Sequence, residues 1–548
     1  MALVNGIHFR NLRGDLFGGV TAAVVALPLA LAFGVSSGAG PIAGIYGAIF
    51  VGFFAALFGG TPTQVSGPTG PMTVVMAAVF TQFSAIDPVQ GPMLAFTVVL
   101  MGGFLQMLFG LFRLGNYITL MPFPVISGFM TGIGLIIIAL QLAPLLGHES
   151  MPSVLASIQA LPHNLATFEP TALGLALLTL LIVFFCPKAL ARMIPAPLIA
   201  LVVGTLGYLW LFPQAPIAII GEIPSGLPQW HWPQIEPDLL QEVILAAVML
   251  AALGSIDSLL TSLVADNLSK TQHDSDRELI GQGIGNMLAG LFGGLPGAGA
   301  TMRTVVNIRA GGQTPISGAT HALILLLIVL GAGPLAEHIP HAVLAGILIK
   351  VGIDIIDWDF LRRLHRAPPV VVVLMLLVLG LTVFVDLVTA VLVGVFLANV
   401  ITIKRLSDIQ LDSIRVISGA EAETAGILSA REQEIMRQGG GRLLLYHIDG
   451  PVSYAAVKGM TKKLADSQPY EVLLFDMTAV PMVDVSTTMA IESMIVDARQ
   501  AQREVYFIGM SPSVRHVFER MQVLARLPES VLFEERLEAL EDAYQRIS

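Results

Sequence analysis

Asp257 and Thr261 stand four residues apart in LAALGSIDSLLTSLV, a run otherwise apolar enough to lie inside a membrane. On a helix that spacing sets a carboxylate and a hydroxyl on one face, and an acid at such depth is rare and by default functional. Further along, Gly293–Asn307 reads GGLPGAGATMRTVVN. From Gly294 it nearly spells a phosphate-binding loop. Ala300 and Thr301 follow, however, where a P-loop carries Lys and then Ser or Thr, and that lysine is what reaches the phosphates. Nucleotide hydrolysis is set aside on that ground. What remains is a glycine-rich turn entering a short helix, whose first turn offers unpaired N–H groups and the positive end of a dipole to an anion. The glycines are expected to bring backbone N–H groups to that anion. Asp257, Thr261 and the carbonyls of the Gly299–Thr301 turn are hard oxygen donors for a small cation, with sodium the natural candidate. Two other readings of the acid stay open: an ion pair with Arg303, or a protonated carboxyl.

Such groups need a scaffold at membrane depth. Of 548 residues, 55% are hydrophobic and 12% charged, with mean hydropathy +0.78; soluble domains carry roughly 25% charged residues. Residues 1–403 hold 13 Lys/Arg and 18 Asp/Glu, whereas the much shorter 404–548 holds 16 and 21. The expected division is a transmembrane transport domain over 1–403, a linker over 404–439 and a cytoplasmic domain over 440–548. A net charge of −10 with no basic stripe argues against nucleic acid as a partner. The single cysteine, Cys186, excludes an intramolecular disulfide. No cleavable signal peptide is expected, because His8, Arg10 and Arg13 run straight into a long apolar segment.

Apolar segments place spans near 16–35, 42–59, 93–112, 124–146, 170–187, 195–212, 240–263, 279–293, 316–333, 341–353, 369–384 and 386–403. Several are shorter than the roughly 20 residues of a full crossing. Two further stretches, 69–83 and 301–311, follow Gly/Pro-rich turns and read as half-length helices, making fourteen elements. With the N-terminus inside, Arg10, Arg13, Arg113, Lys188, Arg192, Lys270, Arg277, Arg303, Arg309, Lys350, Arg362, Arg363 and Arg366 all fall at or near the inner side. The outer segments 84–92, 147–168, 213–239 and 334–340 hold no Lys or Arg. This positive-inside pattern puts the C-terminal domain in the cytoplasm. Glu278 and Asp266 fall in an inner loop and are assigned no special role; Asp386 lies between the last two spans.

The glycine-rich turn has a counterpart. Leu57–Gly60 and Leu291–Gly294 both read LFGG; the first continues TPTQVSGPTGPMTVV and the second LPGAGATMRTVV. Each copy runs through a turn and a Thr (Thr69, Thr301) into a short helix containing TVV, one leading outward and the other inward. Inverted repeats with unwound segments at equivalent places point to a transporter's midplane site. There the glycines and Ala300 admit the backbone while Thr69 and Thr301 add hydroxyls. Thr69 is expected to serve the anion alone, away from the cation. The plainer reading is that these glycines only let helices pack closely, which one copy would favour more than two.

The stretches GVTAAVVALPLALAFG, SGPTGPM, GSIDSLLTSLVAD, ELIGQGIGNMLAGLFGG and GATMRTVVNIRAGG resemble the SulP (sulfate permease) family of anion transporters over essentially the full chain. Among its branches the chain is most similar to the BicA-type sodium-dependent bicarbonate transporters. The resemblance implies an α-helical membrane protein of fourteen transmembrane elements in two inverted repeats of seven, split into core and gate, with a C-terminal α/β STAS domain. It implies sodium near Asp257, Thr261, Gly299 and Thr301, and bicarbonate near Thr69, Gly70, Ala300, Thr301 and the two helix ends. Arg303 either binds the anion or pairs with Asp257. Many proton-coupled relatives carry Glu at the position of Asp257, so Asp favours sodium. The reading is a sodium–bicarbonate symporter of the inner membrane, with no other cofactor; the alternatives are proton-coupled uptake of sulfate or a dicarboxylate, or an anion channel or exchanger. No enzyme is read, for want of a Walker lysine, a metal-ligand cluster or a nucleophile with a paired base.

Past the linker, LLLYHI, VLLFDM and VYFIGM read as buried strands, with helices near 455–467 and 486–500. A homodimer through the STAS domain is expected. Ser486 in VPMVDVSTT occupies the D-x-S position where some soluble relatives are phosphorylated; the N-cap of the next helix explains the residue type more simply.

Overall fold

The computed structural model describes residues 7–88, 90–115, 122–151, 153–187, 190, 194–221, 228, 230–233, 237–385, 387–467 and 469–548. Lys188, Arg192 and Asp386, assigned above to loops, lie outside them. Proline at the first helical turn, where a missing N–H removes no bond, starts many of the apolar helices. In chain order the membrane part carries α1 (Leu12–Ser36), α2 (Pro41–Phe58), β1 (Ser66–Gly67), α3 (Gly70–Ile86), α4 (Gly91–Leu111), α5 (Phe123–Leu145), α6 (Val154–Ala166), α7 (Pro170–Phe185) and α8 (Ala196–Leu211). There follow α9 (Leu240–Ser269), α10 (Ser275–Leu291), β2 (Ala298–Gly299), α11 (Thr301–Arg309), α12 (Pro315–Ala336), α13 (His341–Ile355), α14 (Trp358–Arg363), α15 (Pro369–Phe384) and α16 (Leu387–Ser413). Each of the fourteen expected intervals holds a helix. By length and composition alone, six helical runs among the described residues qualify to cross a membrane, or seven if α6 and α7, bent by 116°, count as one broken span. The helices α6 and α14 were not expected.

Two sets of helices pack within this part. In one, α10 lies on α4 and α2, α12 on α1 and α2, and α9 on α4; in the other, α5 lies on α13 and α15, and α7 on α8 and α13. At Gly103 and Gly283 the helices α4 and α10 approach so closely that a side chain on either would meet the other's backbone. Some glycines of this chain therefore do serve close packing.

The two extended segments cross one another. β1 pairs antiparallel with β2, Ser66 opposite Gly299 and Gly67 opposite Ala298. The Ala300 N–H donates to the Val65 carbonyl at 2.9 Å, and the Val65 N–H to Thr304 Oγ1 at 3.1 Å. Asn286 of α10 completes the second segment, accepting from the Gly297 N–H at 2.7 Å and donating to its carbonyl at 3.0 Å. Gly67 has φ +148°, and a Cβ there would meet Arg303 and Ala48, so only glycine fits.

Glu278 corrects its assignment. It is not a loop residue without a role but sits buried in the first turn of α10, 1% exposed. Its carboxylate accepts from the N–H groups of Gly60 and Thr61 at 2.9 Å each, from Gln64 Nε2 at 2.7 Å and from Gln282 Nε2 at 2.8 Å. Gln282 in turn donates to Ser66 Oγ at 2.6 Å. A carboxylate can accept about four such bonds, so one charge organises the whole turn that leads into β1. Asp266 also has a structural role, pairing with His273 Nδ1 at 2.7 Å to close the α9–α10 loop.

The chain divides into compact units at Val395 and Phe396, within the continuous helix α16. The second unit corrects the expected linker over 404–439. After α16, β3 (Ile414–Ile417) and α17 (Ala430–Gly439) belong to the soluble fold, followed by β4 (Leu443–Asp449), α18 (Val457–Ala465), β5 (Val472–Ala479), α19 (Val485–Gln500), β6 (Glu504–Ile508), α20 (Pro512–Arg520), β7 (Leu532–Phe533) and α21 (Arg536–Ile547). The sheet order is β3-β4-β5-β6-β7, with β3 antiparallel to β4 and the rest parallel. Polar composition concealed β3, which is only four residues long, and α17, whose buried face is Ile435 and Met436. Helices α18, α19 and α20 cover one face; α17 and α21 cover the other. The cap of α19 is Asp484, which accepts from the Thr487 N–H at 2.8 Å; Ser486 is exposed in the first turn and is not the cap.

A buried charge cluster ties the second face together. Asp476 accepts from Arg536 at 3.0 Å and pairs with His447 Nδ1 at 2.8 Å, while Arg536 also meets Glu432 at 2.8 Å. Burial alone would push the Asp476 carboxyl up; hydrogen bonds from His447, Thr478 and Arg536 outweigh it and hold the group far below its usual range.

Three outcomes are expected. Glu278→Ala strands four buried donors and should cost roughly 3 kcal/mol or more, read as a lower unfolding temperature and loss of monodisperse protein in detergent; Glu278→Gln, which keeps one acceptor oxygen, should cost less. In the soluble unit, Arg536→Ala should cost about 3 kcal/mol by breaking a mostly buried pair, measured by urea unfolding of a fragment from residue 404 onward. Because the folded Asp476 carboxyl is depressed, its stabilisation is complete above its unfolded pKa of about 4 and is lost as pH falls below that value. Asp476→Asn should therefore flatten the acid limb of that fragment's stability curve.

Candidate functional site

The two crossing strands end at two helix starts. Thr69 is the N-cap residue of α3 and Ala300 that of α11, and neither makes a side-chain cap bond. Among the described residues, the first-turn N–H groups of Gly70 and Met72 on α3, and of Thr301 and Met302 on α11, donate to no protein acceptor. The dipoles of both helices begin here.

The glycine-rich turn works differently from its sequence expectation. Its N–H groups are already engaged: Gly297 with Asn286, Gly299 with Ser258 Oγ at 3.1 Å, and Ala300 with Val65. The glycines permit the strand crossing, since a Cβ on Gly297 would lie 2.5 Å from the Gly67 carbonyl carbon. The N–H groups left for a ligand are those of the helices themselves.

α9 runs past both helix starts and supplies the polar side chains. As the four-residue spacing requires, Asp257 and Thr261 share a face, and they reach different partners. Thr261 Oγ1 donates to the Gly299 carbonyl at 2.9 Å and stands 2.7 Å from Thr301 Oγ1. Asp257 Oδ2 accepts from Thr69 Oγ1 at 2.7 Å; among the described residues its Oδ1 accepts no hydrogen bond. Asp257 is 8% exposed and Thr261 fully buried. Thr69 is therefore not confined to the anion side, because its hydroxyl touches the acid. The reason is the crossing itself, which carries the first helix start back to α9, a contact the linear sequence does not reveal.

Arg303, buried at 3% exposure in the first turn of α11, donates to the carbonyl of Pro68, just ahead of Thr69. It makes no direct ion pair with Asp257, although the two opposite charges lie near enough to attract one another. The guanidinium bonds a neutral carbonyl directly, and its charge sits beside the start of α3. One carboxylate, two hydroxyls and one carbonyl are donors suited to a hard cation of low charge rather than to calcium, which draws on several carboxylates; among the described residues no hydrogen bond joins Asp257 to the Thr261, Thr301 and Gly299 group. Among the described residues no cluster of three His, Cys, Asp or Glu side chains is placed to hold a metal. Sequence reasoning missed Glu278, Gln64 and Ser258 as supports. Gln64 bridges Glu278 and Ser262 at 2.7 and 3.1 Å and packs against Gly299; only the pairing of distant turns shows this.

Residues 12–378 match the sulfate permease family and residues 434–539 the STAS domain. The chain is 49% identical over 544 residues to the bicarbonate transporter BicA of Synechocystis sp., spanning 99% of this chain and 96% of that protein. A second BicA, from Picosynechococcus sp., is 48% identical over 548 residues, with 99% and 96% covered. Among solved structures, the transmembrane domain of a cyanobacterium bicarbonate transporter BicA is 54% identical, covering 71% of this chain and 99% of that one at TM-score 0.67. Murine Solute Carrier 26 family member A9 in an inward-facing state is 18% identical and shares the fold, covering 98% of this chain and 92% of that one at TM-score 0.84. The protein thus belongs to the sulfate permease family: it is a multi-pass membrane anion transporter, not an enzyme, with a C-terminal STAS domain.

Proposed function

We propose that this protein imports bicarbonate with sodium, by alternating access at a mid-membrane site between the starts of α3 and α11. The observation that carries the proposal is the pair of uncapped helix starts sharing one face of α9 with Asp257. Bicarbonate lies against the N–H groups of the two first turns, bounded by Thr69, Gly70, Ala300 and Thr301, with the Arg303 charge nearby. Sodium takes Asp257, Thr261, Thr301 and the Gly299 carbonyl. Neutralising the acid removes its repulsion of the anion, so each ion favours the other's binding, and that reciprocity is the coupling. The near full-length likeness to relatives named bicarbonate transporters supports the choice of anion.

The same reading covers orientation and assembly. The positive-inside pattern supports an inner-membrane protein with its N-terminus and STAS domain in the cytoplasm, with the membrane part over 1–403. A homodimer through the STAS domain draws support from exposed apolar side chains there, among them Tyr454, Met482, Val485 and Met489. A second reading, proton-coupled uptake of sulfate or a dicarboxylate, has the buried Arg303 charge in its favour, since a divalent anion gains more from it. Uptake of labelled bicarbonate and labelled sulfate into proteoliposomes, under separate sodium and proton gradients, decides between them.

Asp257→Asn should abolish sodium-driven uptake in a protein that still purifies as a single species. Sodium-dependent uptake that survives this change undiminished refutes the cation assignment.

Thr69→Val and Thr301→Val should both raise the sodium needed for half-maximal uptake. Losing a hydrogen bond to a charged group weakens binding about tenfold or more, and Thr69 holds Asp257 itself. Ala300→Leu, which adds bulk beside the anion, should block anion uptake while sodium binding measured by calorimetry persists. An unchanged sodium requirement in Thr69→Val would return that residue to the anion alone.

A further inference from the structure

The site has an apolar wall that the charged and polar groups do not account for. α5 and α13 cross at glycines: a Cβ on Gly134 would lie 2.6 Å from the Gly352 carbonyl oxygen, and one on Gly352 would lie 2.9 Å from that of Gly134. Three residues beyond each glycine, on the same helix face, stand Ile137 and Ile355. Both reach the start of α3. A Cβ on Gly70 would meet Ile355 Cδ1 at 2.7 Å and Ile137 Cδ1 at 2.8 Å. Ile137 is buried and Ile355 partly so.

The spacing repeats as the half-helices do. Gly134-x-x-Ile137 lies on the fifth of the fourteen elements and Gly352-x-x-Ile355 on the twelfth, equivalent places in two sevens, as α3 and α11 are the third and tenth. The helices that carry the isoleucines belong to the set packed apart from α9 and α10, so the wall approaches the site from the other half of the bundle.

We propose that the δ-methyl groups of Ile137 and Ile355 set the largest anion the site admits. The inference rests on the anion lying at the start of α3, as proposed above. On this side a ligand meets methyl groups with no hydrogen-bonding capacity, held in place by a helix crossing too close to yield. The two methyl groups already touch the Gly70 backbone, so an anion held by the Gly70 N–H lies beside them; a small planar anion clears them and one with a second carboxylate does not.

Ile→Val deletes the very methyl in question and leaves the rest of the side chain. Uptake of labelled bicarbonate into proteoliposomes is measured with nitrate, sulfate and oxalate as competitors, for the unmodified protein and for Ile137→Val/Ile355→Val. Oxalate should compete poorly with the unmodified protein. In the double variant, the oxalate concentration that halves uptake should fall about tenfold or more, the usual effect of one carbon in a fitted pocket, with little change for nitrate. An unchanged competitor series in a variant that still transports overturns the inference. So does oxalate competing as well as nitrate in the unmodified protein. Loss of uptake in a monodisperse double variant overturns it too, because removing methyl groups cannot obstruct a smaller anion. Should the unmodified protein carry sulfate and no bicarbonate, the bicarbonate reading fails by itself. The same series run against labelled sulfate then tests the wall separately.

Discussion

Backbone that leaves the helical path inside a membrane must find hydrogen-bond partners within the protein, because lipid offers none. In this chain that demand falls on two extended segments, and each meets it largely with the other. The β1–β2 crossing is only two residues long on each side, and the nearby side chains finish what it cannot. Asn286 serves the Gly297 peptide, Ser258 the Gly299 N–H and Thr304 the Val65 N–H. Once the crossing is made, α3 and α11 must both start beside it, and α9 must pass close enough to lend its polar face. The proposed anion site is thus a by-product of satisfying the backbone: the strands use up their own N–H groups and leave those of the helices free.

Charge is distributed by the same logic. A buried carboxylate persists only where donors or cations surround it. Glu278 is saturated by four donors and is structural. Asp257, by contrast, is held by one hydroxyl and keeps an oxygen available, which is the condition of a group that awaits a partner. Arg303 stands between these cases, bonded to a carbonyl and drawn to Asp257 without a direct ion pair. In the soluble unit Asp476, Arg536 and Glu432 compensate one another as a closed set, and nothing about them calls for a ligand.

Much of this was legible in the residues. Apolar length and Gly/Pro punctuation located helices in every expected interval, since both signals are local. Asp257 and Thr261 announced a shared face through their spacing, and the duplicated LFGG announced paired unwound segments. Local signals failed where a residue's meaning came from a remote neighbour. Glu278 looked like loop charge until the Gly60–Gln64 turn was seen to close over it. The stretch after residue 403 looked like a linker because β3 is short, with only its first and last residues buried, and acquires its identity from pairing with β4.

By itself, then, the sequence determined the family, the helices, the inventory of candidate ion contacts and the division into an apolar and a charged part, because composition, periodicity and motif are properties of contiguous residues. Tertiary structure alone decided which of those contacts meet. It joined Thr69 to Asp257, bonded Arg303 to the Pro68 carbonyl, turned the glycines from ligand donors into crossing points and brought Ile137 and Ile355 onto Gly70. The physical reason is that each of these is set by how closely two backbones can approach, and that distance depends on segments far apart in the chain.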